Sequence, residues 1–232
     1  MSIFSDHGIA NLHNILKNEM DHVNKAILEN TESKVGLVAK VAEHLLLSGG
    51  KRLRSLLTLA SSRLFYEHTG YAVQLAAAVE LIHTATLLHD DVIDESDLRR
   101  GKPAANQIWG NAPSILVGDF LFSKAFELMV ETKNLKVLEI LSKVSTKIAE
   151  GEVLQLTFSC DLSLSLEQYL EIVGAKTASL FGAACQAGGI VVNMPFELEE
   201  DLYQFGYNLG IAFQITDDIL DYHLPEKQSG KT

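Results

Sequence analysis

Apolar residues recur along this chain at intervals of three and four, and almost never in strict alternation. Leu75, Val79, Ile82 and Thr86 make one stripe, and Val137, Leu141, Val144 and Ile148 a second. Leu202, Phe205, Leu209, Ala212, Phe213 and Ile219 make a third. An α-helix returns to the same face every 3.6 residues, so each stripe predicts a helix with one core-facing side. No strand pattern, low-complexity linker or short-period repeat stands out. Pro103, Pro113, Pro195 and Pro225 fall where helices should start or loops should run. Breaks are expected near residues 31–33, 48–51, 69–70, 101–113, 133–134, 160–165 and 193–195. The outcome is roughly eight helices, an all-α bundle larger than four antiparallel helices.

The 232 residues are enough for one sizeable domain, and 47% of them are hydrophobic, so a buried core is expected. A net charge of -11 argues against a general nucleic-acid binder. It leaves a phosphate ligand open, because local clusters decide that. Cys160 and Cys185 have no metal-site spacing and read as core residues of a reducing compartment. The start, MSIFSDHGIANLHNIL, lacks the basic and apolar regions of a signal peptide, and the first arginine is Arg52. No apolar stretch of about 18 uncharged residues suggests a membrane span. The expectation is a cytoplasmic protein with at most peripheral membrane contact.

Two clusters break the apolar pattern. LLHDDVIDESDLRRG carries Asp90, Asp91 and Asp94, and FQITDDILDY repeats the spacing as Asp217, Asp218 and Asp221. Each triplet follows an apolar helical segment. One such triplet could be a solvated face, but two identical ones suggest facing acidic walls. Carboxylates that face each other raise each other's pKa, and a divalent cation relieves this. Oxygen-only ligation selects a hard ion, and Mg²⁺ typically combines one or two carboxylates with water and phosphate oxygens. A second anion site is suggested by GGKRLRS, with Lys51, Arg52 and Arg54 after two glycines, and by Arg99 and Arg100. A basic triplet alone is usually a solvated face. His89-Asp90 also allows a histidine–aspartate phosphohydrolase with His44 and His83, a reading that leaves the second triplet without a role. Lys176-Thr177 lies in VGAKTASLFGAACQAGG, where a lysine needs a polar cavity and the small neighbours suggest close packing or a groove.

Together, GGKRLR, LLHDDVIDESDLRRGKPAAN, GDFLFSKAF, GEVLQL, KTASLF and FQITDDILDY, in this order, resemble the trans-isoprenyl diphosphate synthases, or polyprenyl synthetases. The likeness runs from about Leu37 to Thr232. It implies an all-α, isoprenoid-synthase-type bundle around a central cavity, usually as a homodimer. The implied reaction is Mg²⁺-dependent extension of an allylic diphosphate by isopentenyl diphosphate. By resemblance, Asp90, Asp91, Asp94, Asp217 and Asp218 hold about three Mg²⁺ ions and the allylic diphosphate, supported by Asp221. Arg99, Lys176 and Lys231 contact the same diphosphate. Gly50, Lys51, Arg54, His83 and Arg100 bind isopentenyl diphosphate, Thr177 and Gln214 lie near the developing cation, and Gln155 is a further substrate contact.

In this family, bulky aromatics four and five residues before the first aspartate close the product tunnel. Here those positions are the small Thr86 and Ala85. On the helical wheel, Val79 and Thr86 project near Asp90 and are expected to line the tunnel. The resemblance is to long-chain members, so an octaprenyl to decaprenyl product of the quinone-tail type is expected. Alternatives are a farnesyl or geranylgeranyl diphosphate synthase, a class I terpene cyclase that would not need Lys51, Arg54 and His83, and a non-catalytic partner subunit. The last tends to lose aspartates, and all six are present. The family pattern continues past EKQSGKT, so the expected unit is a single domain over residues 1–232 without the family's C-terminal helices.

Overall fold

The computed structural model describes residues 6–46, 49–64, 71–159 and 163–223. In chain order they form α1 Asp6–Ile15, α2 Lys17–Thr31, α3 Gly36–Leu46, α4 Leu53–Ser62, α5 Tyr71–Ile93, β1 Leu98–Arg99 and β2 Lys102–Pro103. There follow α6 Ala105–Trp109, α7 Asn111–Glu131, α8 Leu135–Thr157, α9 Leu166–Val173, a π-helical turn Gly174–Ala178, α10 Ser179–Ile190 and α11 Phe196–His223.

The expected breaks at 31–33, 133–134 and 193–195 separate helices, while the one at 69–70 lies outside the described residues. Local chemistry explains several ends. Asn134 caps α8 by accepting from the backbone N–H groups of Lys136 and Val137. Ser165 and Gln168 form a capping box at α9. More helices form than expected because the first segment breaks at Leu16 into α1 and α2, α6 occupies part of the 101–113 loop, and the π turn divides one apolar run between α9 and α10. Pro113 sits in the first turn of α7 rather than in a loop, where its missing N–H costs nothing.

The sequence pattern gave no strand, yet Leu98 pairs with Pro103 and Arg99 with Lys102. Strands of two residues are too short to show alternation. Arg100 and Gly101, at φ 53° and 74°, make the tight turn between them.

α5 is the centre, wrapped by α2, α4, α7 and α10. Leu75 through Ile82, Ala85 and Leu88 are buried in one continuous core. α5 is long and apolar enough to cross a membrane, although any 18-residue window of it contains Glu80. Its all-round apolarity has a nearer cause, since helices surround it.

The second stripe, Val137 to Ile148, is buried as expected. The third is not a single core stripe. Phe205 and Ile219 are 58% and 50% exposed, and α11 meets α10 through Gly206 and Gly210 instead. A Cβ on Gly206 would lie 2.5 Å from the Phe181 carbonyl oxygen, and one on Gly210 would lie 2.6 Å from Ala178 Cα. Hydrophobic periodicity cannot register such contacts, because glycine contributes none. Backbone atoms cannot yield as side-chain tips do, so Gly206→Ala should cost about 1–3 kcal/mol and lower the thermal midpoint by several degrees. A thermal melt followed by circular dichroism checks this. Cys185 is buried as expected, its thiol pushed up to about 12 by burial. Cys160 lies outside the described residues.

Candidate active site

α5 delivers the first acidic motif at its C-terminal end. Helix positions four apart stack, while the next residue stands about 100° round. Asp90 and Asp94 accordingly face a large cavity bounded by α4, α5, the hairpin, α8, the π turn, α10 and α11. Asp91 points elsewhere. It is fully buried, and its Oδ1 accepts from Arg99 Nε at 2.8 Å and from an Arg99 terminal nitrogen. Its Oδ2 has no hydrogen-bond partner. Arg99 itself also lines the cavity, so one guanidinium serves a buried anion and the cavity wall together.

The opposite wall is α11. Asp217 lines the cavity, Asp218 does not, and Asp221 stands exposed one turn further on. Both Asp218 oxygens are in use: Tyr169 Oη donates to Oδ2 at 2.5 Å and Gln214 Nε2 to Oδ1 at 2.8 Å. Burial and this contact hold the Tyr169 phenol above its ordinary pKa. Thr177 Oγ1 donates in turn to Gln214 Oε1 at 2.9 Å.

Lys176 and Thr177 lie on the π turn, a form that recurs at functional sites because it inserts a residue into the helical ladder. Lys176 Nζ is 2.5 Å from Glu152 Oε2, 3.3 Å from Gln155 Oε1 and 3.6 Å from Asp90 Oδ2. Burial works against its charge, but Asp90 and Glu152 outweigh that and keep its pKa above the ordinary value. Burial pushes Asp90 up to about 7; Glu152 and Asp94 add to the effect, and Lys176 and Arg99 oppose it.

The basic end lies across the cavity. Gly49 and Gly50 have φ of 82° and 143°, which carries the loop close to the hairpin. A Cβ on Gly50 would come within 2.7 Å of an Arg100 terminal nitrogen. His13 Nε2 lies 3.1 Å from the Lys51 carbonyl oxygen, tying α1 to this loop. Arg54 stacks over Phe181 at 4.4 Å, and burial lowers its pKa to about 10. Burial, then the charges of Arg54, Arg100 and Arg99, keep His83 well below its ordinary value, hence neutral at pH 7. Buried Glu80 offsets these cations: Ser55 donates to it at 3.0 Å, and Arg52 faces it at 3.6 Å.

Apolar Leu87, Ile148, Phe181 and Phe213 complete the lining, Phe181 under Arg54. The whole cavity measures about 1050 Å³.

A sequence profile described as polyprenyl synthetase matches residues 35–232. The chain belongs to the polyprenyl synthetase family. It is 46% identical over 213 residues to octaprenyl diphosphate synthase of Escherichia coli (strain K12), covering 92% of this chain and 66% of that one. It is 44% identical over 206 residues to the geranyl-diphosphate-specific all-trans-nonaprenyl-diphosphate synthase of Rhodobacter capsulatus, covering 88% and 63%. Polyprenyl synthase from Caulobacter crescentus CB15, solved with calcium and isoprenyl diphosphate, superposes with a TM-score of 0.94 at 53% identity, covering 97% of this chain and 68% of that one. This polyprenyl synthetase chain therefore spans just under two thirds of the length of these curated relatives. Its all-α architecture is the expected one.

Of the residues singled out from sequence, Gly50, Lys51, Arg54, His83 and Arg100 meet at the basic end. Asp90, Asp94, Arg99, Lys176, Thr177, Gln214 and Asp217 meet at the acidic end. Gln155 reaches the cavity only through Lys176, and Lys231 lies outside the described residues. Thr86 lines the cavity, whereas Val79 and Ala85 are fully buried in the core. The helical wheel gave Val79 its direction but not its depth: the face open at Thr86 is covered two turns further back. His89 contacts the Ile115 carbonyl and stacks on Phe122, and His44 contacts the Pro103 carbonyl, so the histidine set of a phosphohydrolase is not assembled. Among the described residues no three His, Cys, Asp or Glu side chains form a metal-holding group by themselves.

Sequence reasoning missed Glu80, Glu152 and Tyr169. A charge inside the apolar run LAAAVELIH was a usable signal for Glu80, since such a group needs a buried partner. Glu152 carries the same signal more weakly, and nothing marked Tyr169.

Proposed function

We propose that this chain catalyses head-to-tail (1′-4) condensation of an allylic diphosphate with isopentenyl diphosphate, building a long all-trans polyprenyl diphosphate. One observation carries this reading: a single cavity gathers acidic side chains from two walls, a basic cluster and apolar side chains. Diphosphates suit the charged groups, and a hydrocarbon chain suits the apolar ones.

The donor set fits Mg²⁺. Asp90, Asp94 and Asp217 offer only carboxylate oxygens from two walls. No three of these groups chelate alone, which matches an ion that completes its shell with water and diphosphate oxygens. When bound, a set of about three such ions would neutralise the charge gathering on the leaving diphosphate. The calcium and isoprenyl diphosphate in the Caulobacter crescentus polyprenyl synthase support this assignment.

The chain's own residues do the rest. Lys176 and Arg99 hold the allylic diphosphate while its C1–O bond breaks. Lys51, Arg54, Arg100 and neutral His83 hold isopentenyl diphosphate so that its double bond points at C1. The Thr177 and Gln214 oxygens face the developing cation. Leu87, Phe181 and Phe213 keep water from quenching it. The new C–C bond forms, and the proton lost goes to the departing pyrophosphate.

The names of the octaprenyl and nonaprenyl relatives support a long product. Incubation with Mg²⁺, farnesyl diphosphate and radiolabelled isopentenyl diphosphate should give octaprenyl to decaprenyl products. A farnesyl product alone, a cyclised hydrocarbon or free alcohol would sink the reading. Thr86→Phe, at the cavity wall, should shorten the product with little loss of stability. Ala85→Phe should instead strain the core by about 1–3 kcal/mol. Product chromatography and melts of the two variants separate these effects. A homodimer is the proposed assembly, supported by Ile115, Leu116, Phe126 and Val130, left exposed along one side of α7.

A further inference from the structure

Tyr169 stands on α9, outside the cavity, with its ring partly buried and its hydroxyl on Asp218. Its place is fixed from both ends of the short helix. The Ser165–Gln168 capping box sets where α9 starts. At the other end Gly174 admits α11 so closely that a Cβ there would lie 2.2 Å from the Tyr207 hydroxyl. The contact with Asp218 therefore joins two elements already held together.

What Asp218 does next depends on that contact. Both Asp218 oxygens accept, one from Tyr169 and the other from Gln214, so Gln214 meets it by the Nε2 end. That leaves Gln214 Oε1 toward Thr177, whose hydroxyl it accepts at 2.9 Å. Thr177 itself could donate or accept, so it does not choose the orientation; Asp218 does. The amide's negative end is thereby kept on Thr177, and both residues line the cavity. Asp217, the next residue to Asp218, is held at the same wall by the same helix.

We infer that Tyr169 is a positioning residue: through Asp218 it fixes the Gln214 amide, Thr177 and the α11 carboxylate wall in the arrangement that receives the allylic diphosphate. This rests on the diphosphate reading above. Isopentenyl diphosphate, bound at Lys51, Arg54 and His83 across the cavity, should be indifferent to it.

The test compares wild type, Tyr169→Phe and Tyr169→His. Calorimetry measures binding of inorganic pyrophosphate in the presence of Mg²⁺, and steady-state kinetics separate turnover from the two KM values. Loss of one hydrogen bond to a charged group should weaken Mg²⁺-pyrophosphate binding and lower kcat about tenfold in Tyr169→Phe. KM for isopentenyl diphosphate should stay within about twofold, because it reports the other site. Tyr169→His, which restores an N–H donor, should recover part of both losses. Unchanged pyrophosphate affinity and kcat in Tyr169→Phe overturn the inference and leave the diphosphate reading standing. A uniform loss across both substrates, tracking a lower melting temperature, overturns it as well. Wild type that binds no Mg²⁺-pyrophosphate overturns the reading and the inference together. If Tyr169→Phe does not fold, Asp218→Asn keeps the side-chain shape and must show the same tenfold, one-sided loss, or the inference fails.

Discussion

Asp90→Asn is expected to abolish elongation and, at the same time, to make the free protein more heat-stable at pH 8. Under the proposed reading Asp90 is a central acidic ligand on the α5 wall, and its loss should lower kcat at least about 1000-fold, the scale of removing a charge-stabilising group from a site of this kind. The stability gain follows from its pKa. Burial, helped by Glu152 and Asp94, holds the carboxyl at about 7 in the folded state. In the unfolded chain it returns to about 4. Between those values the native state keeps a proton that the unfolded state has lost. Stability from this group is therefore complete below about pH 4, falls as pH rises towards 7, and is gone above it. An asparagine never ionises and escapes the penalty. The variant should melt about 2–6 °C above wild type at pH 8, with a smaller gap at pH 5. Mg²⁺ with pyrophosphate should narrow the gap by stabilising only wild type. Melts at the two pH values, with and without that mixture, check each part. A variant less stable than wild type at pH 8 would show that Asp90 is not under electrostatic stress.

Arg99→Ala should have the largest effect on folding itself. Asp91 has 0% of its surface exposed, and Arg99 supplies its side-chain hydrogen bonds. Removing the guanidinium leaves a buried carboxylate with no counter-charge, a change that costs about 3–5 kcal/mol. That is a large part of the stability of an ordinary domain, so a fall of roughly 10 °C or more in melting temperature is expected. Asp91→Asn in the same chain should restore much of the loss without restoring catalysis. The double variant thus separates the structural use of Arg99 from its place at the cavity. Equal melting points for Arg99→Ala and wild type would contradict the pairing.

The aspartate motifs were legible because their spacing alone puts two carboxylates on one helix face. Which two was harder. Asp90 and Asp94 share the cavity face by their spacing, but the burial of Asp91 depends on an arginine on a hairpin that no periodicity announces. Asp218 likewise belongs to Tyr169, a residue 49 positions away on another helix. The helices around α5 could be read from their stripes, but the seam between α10 and α11 could not, since Gly206 and Gly210 add nothing to a hydrophobic pattern. Chain-length positions show the same limit. Thr86 and Val79 share a direction, and only the packed core shows that one meets open space and the other does not.

The hairpin turn has a consequence for how such a protein can diversify. Arg99 reaches the acidic end and Arg100 the basic end, yet the two are neighbours in the chain. Adjacent Cα atoms are always about 3.8 Å apart. Under the proposed function, the arginines that reach the two head groups are thus carried on adjacent backbone positions of one turn. Under the same proposed function, side chains along the apolar lining could be exchanged, and the product lengthened or shortened, without moving that turn.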